Sequence, residues 1–359
     1  MNPAPHANQA PHVNQAQLRA GLIGLGAMGR NHARVLNGLE GVDLVGVADP
    51  VADASALPAG VPLVETVEGL LEFGLDYAVV ACPTAYHESI GLTLAEAGVS
   101  ALIEKPLAHT SAAATRLAEA FEARGLVAGV GHIERCNPAI MSLRERLESG
   151  ELGEILQIVT RRQGPFPGRI ADVGVVKDLA THDIDLTCWV TGQSYESITA
   201  ETVSRSGRDH EDMLSAIGHL DGGAIANHSV NWLSPFKERT TVVTGDRGSF
   251  IADTLTGDLT FYANGARDTE WEALRAFRGV SEGDMIRYAI RKREPLLVEH
   301  EHFRDAVQGH GLDAAKGSGD DIVDLRQGAA TVAISESMLR SARLGETVVL
   351  NGARTRVRA

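Results

Sequence analysis

Gly24-Leu25-Gly26-Ala27-Met28-Gly29 is the stretch that decides the fold of this chain, because it lies between an apolar run and a helical pattern. In that position the first glycine predicts a tight turn after a strand, and the last permits close packing of the helix on the strand. The middle glycine lets the backbone approach a diphosphate, and the helix start at Ala27 and Met28 offers free N–H groups and the positive end of a dipole. A dinucleotide site is therefore predicted, with a purely structural turn as the alternative.

Asp49 ends the next apolar run and completes this prediction. A carboxylate at the end of the second strand accepts hydrogen bonds from both ribose hydroxyls and repels a 2′-phosphate. No Arg or Lys occurs among the next several residues, so NAD is the predicted cofactor rather than NADP.

Short apolar runs alternate with helical patterns over the first part of the chain. Strands are predicted at residues 18–24, 42–48, 77–81, 101–103 and 127–131, and helices at residues 28–39, 87–97 and 111–124. This alternation favours a parallel sheet with helices on both faces. Residues 18–132 are therefore predicted to form a doubly wound α/β domain of the Rossmann type that binds NAD.

The second half is richer in β-branched runs that are separated by turn signals such as Asp221-Gly222-Gly223. Strands are predicted at residues 155–161, 197–204, 213–220, 223–231, 239–244, 248–252 and 259–262, and helices at residues 138–149, 176–190, 299–308 and 322–342. Successive strands joined by tight turns indicate an antiparallel sheet. Residues 133–359 are therefore predicted to form an α+β domain with a large, mostly antiparallel open sheet.

The composition limits the classes of function. The chain has 359 residues and a formal net charge of −14, which argues against nucleic acid or an anionic membrane as a partner. No apolar run approaches the roughly 20 residues that cross a bilayer. Three scattered cysteines and the lack of a secretory signal predict a cytoplasmic protein in which residues 1–17 form a disordered extension. The cysteines and histidines lack ligand-like spacing, so no metal site is predicted.

Two further segments follow predicted strands of the first domain. Pro83 and Thr84, with His87 opening the next helix, come after one strand, and Glu104-Lys105-Pro106 comes after the next. Ligands of a doubly wound sheet bind beyond the carboxyl ends of its strands, so both segments are predicted at the cofactor site. The proline fixes the backbone beside Lys105 and holds its ammonium near the strand end. An ordinary surface lysine is the alternative.

Asp178 and His182 are the candidate catalytic pair. The predicted helix puts the two side chains on one face, one turn apart, with Asp185 a further turn along. A carboxylate there can orient the ring and favour the imidazolium that forms when His182 takes a proton, so His182 is the predicted general base. For Asp185 the alternative is a structural role, as a cap or an ion-pair partner.

The motifs and their order along the chain resemble those of the glucose–fructose oxidoreductase / inositol dehydrogenase (Gfo/Idh/MocA) family. The resemblance covers nearly the whole chain from residue 18 onward. The segments at residues 131–138 and 161–179 are similar to the nucleotide-sugar branch of that family, which includes UDP-N-acetylglucosamine 3-dehydrogenases. Three residues depart from the branch: Cys136 replaces an aromatic residue, and Lys177 and Thr181 replace apolar ones.

The resemblance implies a two-domain enzyme in which residues 133–359 bind the substrate and form a homodimer or homotetramer through their sheet. It implies that Lys105, Asp178 and His182 are catalytic. In that arrangement His182 removes the proton of a sugar hydroxyl, and Lys105 hydrogen-bonds the same oxygen. The hydride leaves the carbinol carbon for the nicotinamide.

A basic segment leads into the catalytic helix. It carries Arg161, Arg162, Arg169 and Lys177 against the single acid Asp172, in a chain that is strongly acidic. Guanidinium groups match phosphate oxygens, so we predict that these cations bind the diphosphate of a nucleotide sugar. A solvated loop or an intersubunit ion pair is the alternative. Arg135 and Asn137 are weaker candidates for the same surface.

The predicted activity is NAD-dependent oxidation of a secondary hydroxyl, at C3, of a UDP-sugar such as UDP-N-acetylglucosamine. A dehydrogenase of a free sugar, sugar phosphate or cyclitol would use the same catalytic residues, and only the basic segment favours a nucleotide. A non-enzymatic NAD-sensing regulator is the third possibility, and the presence of Lys105, Asp178 and His182 argues against it because a sensor does not need them.

Overall fold

The structure is a computed structural model that describes residues 17–168, 173–265, 281–309 and 322–350. The predicted disorder of residues 1–17 falls, apart from residue 17, outside the described residues. Arg169 and Asp172 of the basic segment also lie outside them.

A six-stranded sheet forms the first half of the molecule, and all its strand pairs are parallel. Its strands, in the spatial order β3-β2-β1-β4-β5-β6, are β1 (Leu18–Ile23), β2 (Val42–Ala48), β3 (Leu63–Val64), β4 (Tyr77–Val80), β5 (Ser100–Glu104) and β6 (Ala128–Gly131). The helices between them are α1 (Ala27–Leu36), α2 (Val67–Leu71), α3 (His87–Glu96) and α4 (Ser111–Glu122). The predicted doubly wound α/β fold is confirmed.

A nine-stranded sheet dominates the second half, with the order β14-β13-β12-β11-β7-β10-β9-β8-β15. Its strands are β7 (Ile155–Pro165), β8 (Tyr195–Val203), β9 (Met213–Leu220), β10 (Ile225–Asn231), β11 (Leu233–Gly245), β12 (Gly248–Asp253), β13 (Asp258–Gly265), β14 (Ser281–Arg287) and β15 (Val348–Val349). The pair β7–β10 is parallel and the other pairs are antiparallel, so the predicted mostly antiparallel sheet is confirmed.

Among the described residues, this half also contains the helices α5 (Pro138–Glu148), α6 (Thr181–Thr191), α7 (Pro295–Val307) and α8 (Leu325–Leu344). Three of them cover one face of the nine-stranded sheet, where Leu143, Ile184 and Met338 are fully buried against strand residues such as Ile158. Burial alternates along β9, where Leu214 is inside and Ile217 is outside, as a sheet with one covered face requires. Within the described ranges, no helix combines the length and apolar composition needed to cross a membrane.

The last helices of the chain also pack on the first sheet, which the sequence pattern did not predict. Phe303 of α7 lies edge-on to Tyr77 of β4, with 5.4 Å between the ring centroids, and is fully buried. Just before α8, the carbonyl of Val323 accepts a hydrogen bond from the N–H of Val130 at 2.8 Å. Helix α8 therefore contributes to both halves: Ile334 and Met338 belong to the apolar cluster of the second half, and Leu325 and Val332 belong to one of the first half.

Candidate active site

The glycine loop has the shape that a dinucleotide requires. Gly24 has φ +92°, and a Cβ there would lie 2.7 Å from the backbone N of Cys82. A Cβ on Gly29 would lie 2.0 Å from the carbonyl O of Gly24, so both positions exclude larger residues. Gly26, by contrast, faces open space, and no side chain caps the helix that starts with Ala27 and Met28. The exposed N–H groups of this turn fit a diphosphate.

Asp49 holds that loop in place. Its Oδ2 accepts a hydrogen bond from the N–H of Leu25 at 2.7 Å, and its Oδ1 accepts from Val51 and Ala52 at 2.9 Å each. Each carboxylate oxygen has two lone pairs, so Oδ2 retains one acceptor site for a ribose hydroxyl. The residues present therefore fit the predicted NAD.

His87 is placed differently from the prediction that it contacts a cofactor. Its ring is buried, with Nδ1 3.0 Å from the carbonyl O of Pro106 and Nε2 3.0 Å from that of Cys82. Burial lowers the pKa of His87 despite these carbonyls. The ring connects the two loops that follow β4 and β5, whereas Pro83 is exposed and Thr84 lies just inside the surface.

Lys105 follows the carboxyl end of β5 and binds the segment that precedes α6. Its Nζ donates to the Oδ1 of Asp178 and to the backbone O of the same residue, both at 2.8 Å. The two side chains are largely buried, with 17% and 8% of their surfaces exposed. Two of the three ammonium protons are thus used within the protein, and the third remains for a ligand.

The segment before α6 departs from the predicted α-helix. Residues Val176–Ala180 form a π-helical turn, and regular α-helix begins only at Thr181. Such turns are rare and occur often at functional sites. Here both the carboxylate and the carbonyl of Asp178 are directed to Lys105. The expectation that Asp178 orients the ring of His182 is wrong, because that carboxylate is bound to Lys105 instead.

His182 is buried, with 8% of its surface exposed, and its Nδ1 has no hydrogen-bond partner among the described residues. The ring of His132 lies edge-on to it, with 6.1 Å between the centroids. Burial, together with the positive charges of Lys105 and Arg162, holds the pKa of His182 well below its usual range. His182 is therefore a neutral imidazole with a lone pair that can accept a proton.

Arg162 does not have the role that the sequence suggested. Its guanidinium is buried, with Nε 3.0 Å from the Oδ1 of Asp183 and Nη1 2.8 Å from the Oε1 of Glu134. Burial opposes the ionisation of Glu134, but Arg162 offsets it and the pKa of this carboxyl is lowered. Arg162 therefore forms internal ion pairs, and these contacts do not support its predicted role as a diphosphate ligand.

The two other cations of the basic segment that the structure describes do not meet either. Arg161 is exposed and lies 3.7 Å from Glu238, and Lys177 donates to the backbone O of His109 at 2.6 Å. The weaker candidates are also structural. Arg135 forms a buried bidentate pair with Asp185, at 2.6 and 2.8 Å, and Asn137 caps the start of α5. Asp185 is thus an ion-pair partner, which was the structural alternative to a catalytic role.

Arg239 of β11 is a further candidate site residue, which the sequence did not predict. It is partly buried, and its Nη1 donates to the backbone O of Gln163 at 3.0 Å and of Glu238 at 3.1 Å. Its charge is close enough to lower the pKa of His182, and it lies opposite Arg162 in the strand register. A single arginine in an alternating strand gives no sequence signal of this position. In the described part of the chain, no cluster of His, Cys, Asp or Glu is arranged to hold a metal ion.

Two family models match the chain. Residues 18–132 match a model described as an oxidoreductase family with an NAD-binding Rossmann fold, and residues 140–251 match the GFO/IDH/MocA C-terminal domain.

Among curated proteins, UDP-N-acetylglucosamine 3-dehydrogenase of Acidithiobacillus ferrooxidans is 30% identical over 298 residues, which cover 82% of this chain and 90% of that protein. The scyllo-inositol 2-dehydrogenase (NAD(+)) of Bacillus subtilis is 26% identical over 308 residues, or 81% of this chain and 86% of that protein.

Solved structures show the same fold. The structure of the Acidithiobacillus ferrooxidans enzyme superposes with a TM-score of 0.77 at 27% identity and covers 91% of this chain and 98% of its own. The WlbA dehydrogenase of Bordetella pertussis, in complex with NADH and UDP-GlcNAcA, has a TM-score of 0.73 at 22% identity, with coverages of 94% and 100%.

Proposed function

This chain belongs to the GFO/IDH/MocA family of oxidoreductases, and from that membership we propose that it is an NAD-dependent dehydrogenase of a nucleotide sugar. The proposed reaction is oxidation of a secondary hydroxyl, at C3, of a UDP-sugar such as UDP-N-acetylglucosamine. One observation carries the proposal. Lys105, which follows the carboxyl end of β5, binds Asp178 and is close enough to His182 to lower the pKa of its ring. The glycine loop lies at the carboxyl end of β1 in the same sheet.

The glycine loop and Asp49 are the proposed cofactor contacts. The open face at Gly26 and the N–H groups of Ala27 and Met28 suit the diphosphate, and the remaining acceptor site of Asp49 suits the adenosine ribose. When bound there, NAD supplies the acceptor for the hydride that leaves the carbinol carbon.

Lys105, Asp178 and His182 are the proposed catalytic residues. Asp178 holds the ammonium of Lys105 with two hydrogen bonds, so that the third N–H can bind the hydroxyl oxygen and stabilise the negative charge that develops on it. His182 takes the hydroxyl proton at Nε2, since its Nδ1 is buried. Burial of the three groups excludes water and keeps His182 neutral before the reaction.

The UDP-sugar preference rests on the similarity to the Acidithiobacillus ferrooxidans enzyme, because Arg162 is bound in internal ion pairs and is not available to a diphosphate. We propose that Arg239 contacts the sugar beside the reacting carbon, because its charge reaches His182 and its described hydrogen bonds go only to two backbone carbonyls. A free sugar or cyclitol dehydrogenase is the second candidate, which the similarity to scyllo-inositol 2-dehydrogenase favours.

The test is reduction of NAD at 340 nm with UDP-N-acetylglucosamine, its uronic acid, free N-acetylglucosamine and myo-inositol. We expect a UDP-sugar to give the highest kcat/KM, and Lys105→Ala to lower kcat by roughly 10²- to 10⁴-fold. Dinucleotide affinity, measured by protein fluorescence, should change little in that variant. A higher kcat/KM for myo-inositol would replace the nucleotide sugar with a cyclitol.

We also propose that the chain forms a homodimer or homotetramer through the uncovered face of the nine-stranded sheet. Ile217 and Ile225 lie on that face with 49% and 37% of their surfaces exposed, and the paired, partly exposed Val159 and Val242 lie on the same face. Exposed aliphatic side chains on an uncovered sheet face support an interface at this surface. Sedimentation equilibrium tests the proposal, and a monomer at micromolar concentration would exclude it.

The expected cytoplasmic location also stays a proposal. Cys82 and Cys188 are free thiols, which supports a reducing compartment. Localisation of a tagged chain in cell fractions is the direct measurement.

A further inference from the structure

A buried chain of hydrogen bonds runs from α7 through α1 to the residue before Lys105. We propose that His300 and His32 are positioning residues for the reaction, because they fix the carboxylate of Glu104 and, through it, the backbone of Lys105. This inference rests on the proposed function, since it assigns a purpose to the position of Lys105.

The geometry connects three elements that are distant in sequence. The Nε2 of His300 lies 2.8 Å from the Nδ1 of His32, and the Nε2 of His32 lies 2.9 Å from the Oε1 of Glu104. The other oxygen of Glu104 accepts the N–H of Lys105 at 3.0 Å. Both imidazoles are 0% exposed, and Glu104 is 8% exposed. Every link in this chain is therefore shielded from water.

The direction of the bonds to Glu104 follows from its charge. Burial raises the pKa of Glu104, but His32 and Lys105 more than offset it, so the pKa is lowered and the group is a carboxylate. An ionised carboxylate only accepts hydrogen bonds, so the Nε2 of His32 donates. The Nδ1 of His32 then pairs with the Nε2 of His300 whether His32 is neutral or charged. His300 fixes the ring of His32 in either state.

Glu104 is also fixed by sterics. Gly131 of β6 lies beside it, and a Cβ on that glycine would lie 3.3 Å from the Oε1 of Glu104. The carboxylate is thus held between a neighbouring strand, the ring of His32 and the N–H of Lys105. Because each of its oxygens accepts one of these donors, Glu104 acts as a support for Lys105. This is a different role from the direct cofactor contact that the sequence suggested.

The series of hydrogen bonds ends at His300, inside the protein. The Nδ1 of His300 has no partner among the described residues, and neither does the Oε2 of the adjacent, buried Glu299. Burial and the negative charge of Glu104 raise the pKa of Glu299 well above its usual range, so this carboxyl stays neutral. The bonds end in the protein interior instead of at the surface. Such a chain positions groups and does not conduct protons to solvent.

The test compares His300→Phe, which removes the bond to His32, with His300→Gln, whose amide can replace the Nε2 of the ring. His302→Gln on the same helix is the matched control. We expect His300→Phe to lower kcat by about ten- to a hundredfold with little change in KM, because small displacements at a reacting group have effects of this size. His300→Gln should recover most of the activity, and His302→Gln should equal the parent.

A second readout does not depend on any substrate. Labelling of Lys105 by an amine-reactive reagent, followed by peptide mass spectrometry, should accelerate in His300→Phe and stay at the parent rate in the other two variants. If His300→Phe does not fold, His300→Asn replaces it, since this shorter amide does not reach His32. Parent-like labelling and kcat in a folded His300→Phe would overturn the proposal. Failure of the parent to oxidise any sugar, with the labelling difference intact, would contradict only the proposed function.

Discussion

At the scale of single residues, the neutral state of His182 determines how the proposed reaction depends on pH. The base must be unprotonated, and burial and neighbouring cations lower its pKa well below 6.5. As the pH falls, protonation of His182 therefore sets in only below 6.5. We predict that kcat/KM keeps its value from pH 7.5 to 6.5 and that its acid limb lies lower. Dinucleotide affinity measured at each pH separates cofactor binding from this effect, and an acid limb at or above 6.5 would contradict the prediction.

Candidate site residues could be proposed from the sequence, but their hydrogen-bond partners could not be predicted. Lys105, Asp178 and His182 stand out because they follow a strand or share a helix. The bond from Lys105 to Asp178 depends on how the two halves of the molecule pack, and a π-helical turn changes the direction of the carboxylate. The local periodicity suggested a pair between Asp178 and His182. It carries no information about the packing of the two halves or about the π-helical turn.

At the scale of secondary-structure elements, Arg162 ties β7 to α6 and to the turn at Ile133–Cys136. Removing one member of a buried ion pair leaves uncompensated charge, with an effect of about 3–5 kcal/mol. We predict that Arg162→Met lowers the free energy of unfolding by this amount, measured in urea. It should leave the ratio of activities on UDP-sugars and free sugars unchanged.

The neighbouring Arg161 provides the control, because it lies on the same strand and its side chain is 63% exposed. Arg161→Met should change stability by no more than about 0.5 kcal/mol. If Arg162→Met were as stable as Arg161→Met and lost activity only on UDP-sugars, Arg162 would return to the substrate site.

Elements with strong periodicity were predicted well, whereas the short strands β3 and β15 and the seven-residue strand β14 were missed. The bounds of β2 and β9 agree with the structure residue for residue. The strands β3 and β15 have only two residues each, so no alternation could show them. The predicted strand at residues 239–244 is the end of β11, which begins at Leu233. Its pairing with β7 shifts register between Leu233 and Glu238, and this irregularity interrupts the sequence pattern.

At the scale of the whole molecule, buried histidines make stability depend on pH. The pKa is lowered by burial for His87, His132, His182, His228 and His300, and reaches about 4 for His228. The unfolded chain binds protons at these residues below about 6.5, whereas the folded chain does so only at lower pH. The stability they contribute is therefore present above pH 6.5 and is lost as the pH falls.

We predict that the free energy of unfolding in urea falls steeply between pH 6.5 and 4.5, by up to about 1.4 kcal/mol per pH unit for each such histidine. Glu299 acts in the opposite sense, because its raised pKa gives stability at low pH that is lost as the pH rises. His228→Gln should reduce the slope, since it removes one titrating ring. A free energy of unfolding that stays constant from pH 7 to 5 would exclude this account.

The packing of the last two helices on the first sheet also bears on how the chain is made. Phe303, Leu325 and Val332 belong to the apolar clusters of that sheet, although they come near the end of the sequence. Domains usually fold as they leave the ribosome, N-terminal part first. Here the nucleotide-binding half has to wait, with part of its apolar interior exposed to water and to chaperones, until translation has passed residue 332. The glycine-loop domain is therefore completed only after α7 and α8 have been synthesised, although its own last strand ends at Gly131.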